Sequence, residues 1–206
     1  MKNLLNCLIF LVLAGCNLSV FVPDPVELRI PRYSEEGYNI AGAFINDVAW
    51  KAEAICLFID CKDPLALSRF RDSLGTSMEF RLKGSMHEGL QQYDDYDLVF
   101  RLTNQTIDDL TDLKQLQGQS FSVEDGSMLA YLDTLVFREA YPTINCQKAQ
   151  FLVRDYREVE DEYGFIKYQI SGTFGMECMS GGQPVNVYQG RYDLIVGRIS
   201  DYVFFD

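Results

Sequence analysis

The sequence predicts an all-β domain, an antiparallel meander that forms a flattened barrel or a two-layer sandwich and carries one short helix. Three observations point there. Apolar and polar residues alternate over segments such as 76–83, where Met78, Phe80 and Leu82 interleave with Glu79, Arg81 and Lys83, the period of a half-buried strand. The chain holds 12 Tyr and 14 Phe against one Trp and one His, and aromatic residues favour strands. Short turn signals, among them Asn46-Asp47, Asp125-Gly126 and Gly181-Gly182, separate the alternating segments.

The first stretch stands apart from that domain. Lys2 precedes an uncharged, mostly apolar run over 4–13, and small residues then lead to Cys16, as in a secretory signal with its processing site. Leu13-Ala14-Gly15-Cys16 resembles the lipobox of bacterial lipoproteins. That resemblance implies cleavage before Cys16 and lipidation of its sulfur and new amino end. Asn6 breaks the run, which falls short of the ~20 apolar residues a membrane-crossing helix needs. Acyl chains contribute about 0.8 kcal/mol per buried methylene, so three of them anchor firmly. The expected organisation is a signal peptide over 1–15, the lipidated cysteine with an extended Pro-rich tether over 16–37, and one β-rich domain over 38–206.

Segment 38–54 reads as a hairpin turning at Asn46-Asp47. Ile45 then faces Val48, Ala43 faces Trp50 and Ala41 faces Ala52, so the small alanines leave room for the indole and Trp50 reads as a core anchor. Residues 57–59 continue a strand, whereas 62–73 fit a helical turn or an irregular crossover equally well. Strands follow at 76–83 and 95–103, joined by a polar loop over 84–89 that holds His87. At 106–116 the period changes. Ile107, Leu110, Leu113 and Leu116 recur, Thr106 stands at the cap and Gly118 beyond the end, which predicts the helix. Asp108, Asp109 and Asp112 read as solvated helix charge, as do Asp94, Asp95 and Asp97 where a loop enters a strand.

Strands at 120–124 and 129–138 meet at Asp125-Gly126. The last three strands give a register: with a loop centred on Gly181, Ile166, Tyr168, Ile170, Gly172 and Phe174 face Val196, Leu194, Tyr192, Gly190 and Tyr188 in turn. The strand over 148–158 pairs beside them, with a bulge needed to reconcile its apolar pattern.

Of six cysteines, Cys7 leaves with the signal and Cys16 takes lipid. Cys56, Cys61, Cys146 and Cys178 remain as disulfide candidates, since exported proteins meet an oxidising compartment. Three connectivities are open to four cysteines, and Cys56 with Cys61 and Cys146 with Cys178 is the favoured one. No close C-x-x-C pair calls for a metal. With 30 acidic against 18 basic residues, net charge −12, the chain lacks the basic patch that nucleic-acid binding requires.

Chemistry is sparse. His87 is the only histidine, with no evident nucleophile, and there is no P-loop and no dinucleotide-binding turn. Only paired carboxylates offer a hydrolytic route. The expectation is therefore no catalytic residue, no metal and no cofactor. The leading reading is a non-enzymatic binding or structural domain for an envelope protein or glycan. A calycin-like carrier of small apolar ligands and a carboxylate-dependent glycan hydrolase are the alternatives.

The segments Ala41-Gly42-Ala43-Phe44-Ile45-Asn46-Asp47-Val48-Ala49-Trp50-Lys51-Ala52, Ile170-Ser171-Gly172-Thr173-Phe174 and Gln189-Gly190-Arg191-Tyr192-Asp193 resemble a large uncharacterised family of Bacteroidetes lipoproteins. These pair a lipobox with an early Trp-Lys-Ala segment and a late Ser-Gly-Thr-Phe segment. The resemblance implies an all-β domain held by lipid at the cell envelope, most naturally the outer membrane. It carries no catalytic residues, because the family has no established activity. Some exported lipoproteins of such bacteria carry acids just after the lipidated cysteine, a feature linked to transfer to the cell surface. Here the first acid is Asp24, which favours a periplasm-facing domain over a surface-exposed one.

Overall fold

A computed structural model describes residues 19–57, 60–72, 75–88, 91–136, 139–140, 143–161, 163–197 and 199–203. The signal segment and Cys16 lie outside them. Strands β1 (Ile40–Ile45) and β2 (Val48–Glu53) form the first hairpin. Asn46 and Asp47 both adopt positive φ, 47° and 71°, so the two-residue turn follows the strand twist. Ile45 sits opposite Val48, Ala43 opposite Trp50 and Ala41 opposite Ala52. A separate small hairpin, β3 (Ile55–Leu57) with β4 (Asp60–Lys62), sets Cys56 opposite Cys61.

Segment 62–73 is neither a helical turn nor an irregular crossover. It contains β5 (Leu65–Asp72), antiparallel to β6 (Gly75–Glu88). Most of the expected loop over 84–89 is also strand, because β6 continues through His87 to Glu88. Trp50 explains the continuation. Its indole covers Gly84, where any Cβ would lie 2.5 Å from the ring, and its Nε1–H donates to the Tyr96 carbonyl at 2.9 Å. Along one edge β6 thus changes neighbour from β5 to β2.

The remaining strands are β7 (Gln91–Leu102), β8 (Ser120–Ser122), β9 (Met128–Val136), β10 (Glu139–Ala140), β11 (Ile144–Glu160), β12 (Ile166–Ser180), β13 (Gln183–Val196) and β14 (Ile199–Val203). Eight of the fourteen strands among the described residues pair in a closed ring, β1, β2, β6, β7, β9, β11, β12, β13 and back to β1, every pair antiparallel. β14 lies parallel to β5 outside the ring. Although a turn joins β8 to β9, they pair with different parts of β11.

The ring is filled. Phe151 stacks on Tyr192 at 5.0 Å and meets Phe100 at 4.6 Å and Phe80 at 5.2 Å, while Phe174 touches Phe100 and, edge-on, Trp50. These rings join one continuous hydrophobic core.

The expected helix over 106–116 is shorter and of a different kind. Only Thr111–Leu116 is helical, and it is a 3₁₀ helix. A three-residue apolar period matches 3.0 residues per turn better than 3.6, and Ile107, Leu113 and Leu116 are fully buried. Leu110, not Thr106, stands at the N-cap, and the Asp109 carboxylate just before it accepts the Thr111 N–H at 2.8 Å and the Asp112 N–H at 3.2 Å.

The β12–β13 register differs by two residues from the expected one: Tyr168 faces Val196, Ile170 faces Leu194 and Gly172 faces Tyr192. The turn is the two-residue Gly181-Gly182 pair, and a bulge follows at Tyr188-Gln189, where Gln189 has φ of 53°. Each adds one residue. A shift of two keeps the same side chains inward.

Residues 19–37, read as a tether, lie against the outside of β1 and β13. Ile30 packs with Phe44 and Ala49 in a second small core. Pro31 rests on Gly42, and Arg32 N–H bonds the Val22 carbonyl at 2.8 Å. Asp193 holds this strap by accepting the N–H groups of Glu36, Gly37 and Tyr38 at 3.0–3.2 Å and the Ser34 hydroxyl. β1 is consequently buried on both faces.

Candidate functional site

Two polar concavities lie on the outer faces of the ring. The first, of about 610 Å³, crosses β11, β12 and β13 at Gly175. Gly175 stands opposite the bulge on β13. With no side chain there, the outward row from Thr173 to Glu177 has a gap that becomes the floor of a groove. Tyr188 forms one wall. Its ring stacks on Phe44 at 5.4 Å and its hydroxyl donates to Asp47, so the aromatic surface is fixed in place.

Polar groups rim this groove. The Thr173 hydroxyl and the carboxamides of Asn186 and Gln189 have no hydrogen-bond partner among the described residues. Lys148 and Glu177 neutralise each other across the strands at 2.8 Å. Apart from that ion pair and the Glu124 carboxylate just beyond β8, the groove offers neutral donors and acceptors beside a fixed aromatic ring. That combination suits a polar, uncharged ligand with an apolar face.

The second concavity, about 500 Å³, lies over β9 and the start of β11, with Arg81 and Arg101 at its side, beside a network of charges. Arg81 contacts Asp133 at 2.6 Å, Asp97 at 3.3 Å and Glu79 at 3.3 Å, and Arg101 contacts Glu79 at 2.6 Å. Tyr131 donates to Glu79. Glu79 and Asp97 are only 3% and 5% exposed. Burial raises the Asp97 pKa above the usual carboxylate range, against the opposing pull of Arg81. Burial also works against charge on Arg81, but Asp133, Glu79 and Asp97 together hold it protonated. The Tyr131 hydroxyl is pushed upward by burial first and by Glu79 second. Asp97, expected as solvated charge at a loop, is thus a buried strand residue. An acid pair for glycoside cleavage needs open space between its carboxyls. Here the shared guanidinium occupies the space between Asp97 and Asp133, which suits cross-strand fastening.

Comparisons with protein-family models, curated proteins and solved structures gave no match.

Cys146 and Cys178 form a disulfide across β11 and β12, Cα atoms 4.0 Å apart. Cys56 and Cys61 are opposite in register. Trp50 is fully buried. Among the described residues no group of three or more His, Cys, Asp or Glu side chains is placed to hold a metal, and no helix is long and apolar enough to cross a membrane. The charge network and the groove were not singled out from the sequence. The network had a signal: outward positions of three strands, Glu79 and Arg81, Asp97 and Arg101 on either side of Val99, and Tyr131 and Asp133, carry complementary polar groups. The groove had none beyond Gly175, since it depends on a bulge in a neighbouring strand.

Proposed function

We propose that this chain is a lipid-anchored, non-enzymatic envelope protein of the Bacteroidetes lipoprotein type, and that it binds a neutral glycan in the groove over Gly175. The observation that carries this reading is the groove itself: a fixed Tyr188 ring facing a glycine floor, with unpartnered hydroxyl and carboxamide groups at its rim. Sugar rings present an apolar face to an aromatic side chain and hydroxyls to amides. The groove volume falls within the roughly 300–1,000 Å³ of small-ligand sites. Aromatic side chains occupying the ring interior count against an apolar-ligand carrier, and Arg81 between its acids counts against a hydrolase.

Titration of the full chain with neutral tetrasaccharides of glucose, xylose and N-acetylglucosamine, followed by calorimetry, tests the reading. Saturable binding to at least one, weakened ten-fold or more by Tyr188→Ala and by Gln189→Ala, is expected. No binding to any, or binding indifferent to both substitutions, overturns it. Anchoring is checked separately by Cys16→Ser, which should release the protein from membranes.

A further inference from the structure

The tip of the β11–β12 hairpin displays large apolar side chains to solvent. Tyr163 is 77% exposed, Phe165 69%, Ile166 56% and Val159 37%. A cluster of this kind on a soluble surface marks an interaction site. The loop that carries it is tightly built. Asp161 accepts the Tyr163 N–H at 2.9 Å and the Phe165 N–H at 3.0 Å, and its own N–H bonds the Phe165 carbonyl at 2.9 Å. Gly164 supplies the positive φ, 82°, that the turn needs.

The position of the tip relative to the chain's start identifies its occupant. Val20 N–H bonds the Tyr38 carbonyl at 2.8 Å, and the Ser19 hydroxyl oxygen accepts the Ala54 N–H at 2.5 Å. Ser19 is therefore fixed where β1 begins and β2 ends. Asn39 Oδ1 accepts the Ile195 N–H at 3.2 Å, and the end of β13 pairs with the start of β12, Tyr168 facing Val196. The strap's entry and the hairpin tip thus share one end of the ring. Cys16 lies three residues before Ser19, a reach of up to ~10 Å, and four strand residues from Ile170 to Ile166 rise about 13 Å. Lipid on Cys16 and the side chains of the tip can meet one surface.

We infer that Tyr163 and Phe165 dock into the interface of the bilayer that holds the Cys16 lipid, giving the domain a second, non-covalent contact with the membrane. Aromatic rings settle at the headgroup level, and a second contact converts a swivelling attachment into an oriented one. Glu158, Glu160 and Asp161 surround the tip, with Lys167 as counterion to Asp161. That acidic setting selects a zwitterionic surface over an anionic one. Gly175 lies nine strand residues from Ile166, roughly 30 Å along β12, so the groove opens well clear of the bilayer. The inference rests on the lipid-anchor reading, and the test separates the two.

The full lipidated chain carrying Phe165→Trp is reconstituted in phosphatidylcholine vesicles with brominated or ordinary acyl chains. Trp50 is fully buried in the ring and supplies the background, measured in the parent chain. Bromine quenching of the added indole by two-fold or more, with a blue-shifted emission, is expected. An unquenched indole in vesicle-bound protein that Cys16→Ser releases overturns tip docking and leaves the anchor standing. Cys16→Ser protein that still floats with the vesicles overturns the anchor instead, and the quenching in that sample alone decides the tip.

Discussion

Besides Gly84 under the Trp50 indole, two more glycines in the ring lie beneath aromatic side chains. At Gly172 an added Cβ would stand 1.9 Å from the Leu152 carbonyl oxygen and 2.6 Å from the Tyr192 hydroxyl, which itself donates to Leu152 at 3.0 Å. At Gly190 the Phe174 ring occupies the same space. Gly172→Ala must push backbone rather than a flexible side chain, so it should cost more than the ~1–3 kcal/mol of ordinary overpacking. A fall in Tm of about 5 °C or more, at 2–4 °C per kcal/mol for this size, is the expected calorimetric result. Gly175→Ala meets only the Val187 carbonyl at 3.3 Å and should cost much less. The contrast separates glycines the core requires from the one that shapes the groove.

At the scale of elements, the β11–β12 tip has a pH dependence of known sign. N–H donation from Phe165, then Tyr163, holds the Asp161 carboxyl below the usual range, despite an opposing cost of desolvation. A lowered folded-state pKa means that the loop is held fully above the unfolded value of about 3.9 and loosens as pH falls through the folded one. Amide exchange corrected for its intrinsic pH dependence should show protection at Tyr163 and Phe165 falling below about pH 4. Ile170, in the buried part of the same strand, should hold. Element by element, legibility followed the presence of a local constraint. β1 and β2 could be placed residue by residue because a two-residue turn and a one-faced apolar alternation agree. β12 against β13 kept its inward face but not its register, because Gly181-Gly182 and the bulge at Tyr188-Gln189 each shift the count by one. β5 was illegible because Arg69 and Arg71 interrupt its pattern. Their guanidinium groups reach across to Asp108, at 2.9 and 2.7 Å, a partner no local reading supplies.

For the molecule as a whole, the strap over 19–37 decides how the first hairpin is covered. Its prolines announce an extended path, but that path's docking depends on Asp193, more than 150 residues away in sequence, and so was not visible locally. Asp193→Ala would take the acceptor from the half-buried Gly37 and Tyr38 N–H groups and leave the Glu36 N–H only the Ser34 hydroxyl, at 3.3 Å. Fully buried unpaired donors cost roughly 1–3 kcal/mol each, and half-buried ones less. The expected outcome is early proteolysis between Asp24 and Glu36 with the ring still folded, read by limited digestion and mass spectrometry. A cleavage pattern like the parent's would mean that Ile30 and Pro31 hold the strap unaided. The closed ring has a further consequence, concerning time. β1 finds one of its two neighbours only in β13, near the opposite end of the chain, and long-range pairing of this kind is slow to form. On the export route proposed above, with the amino end leading, the ring closes only after β13 has emerged. Until then β1 lacks its second neighbour.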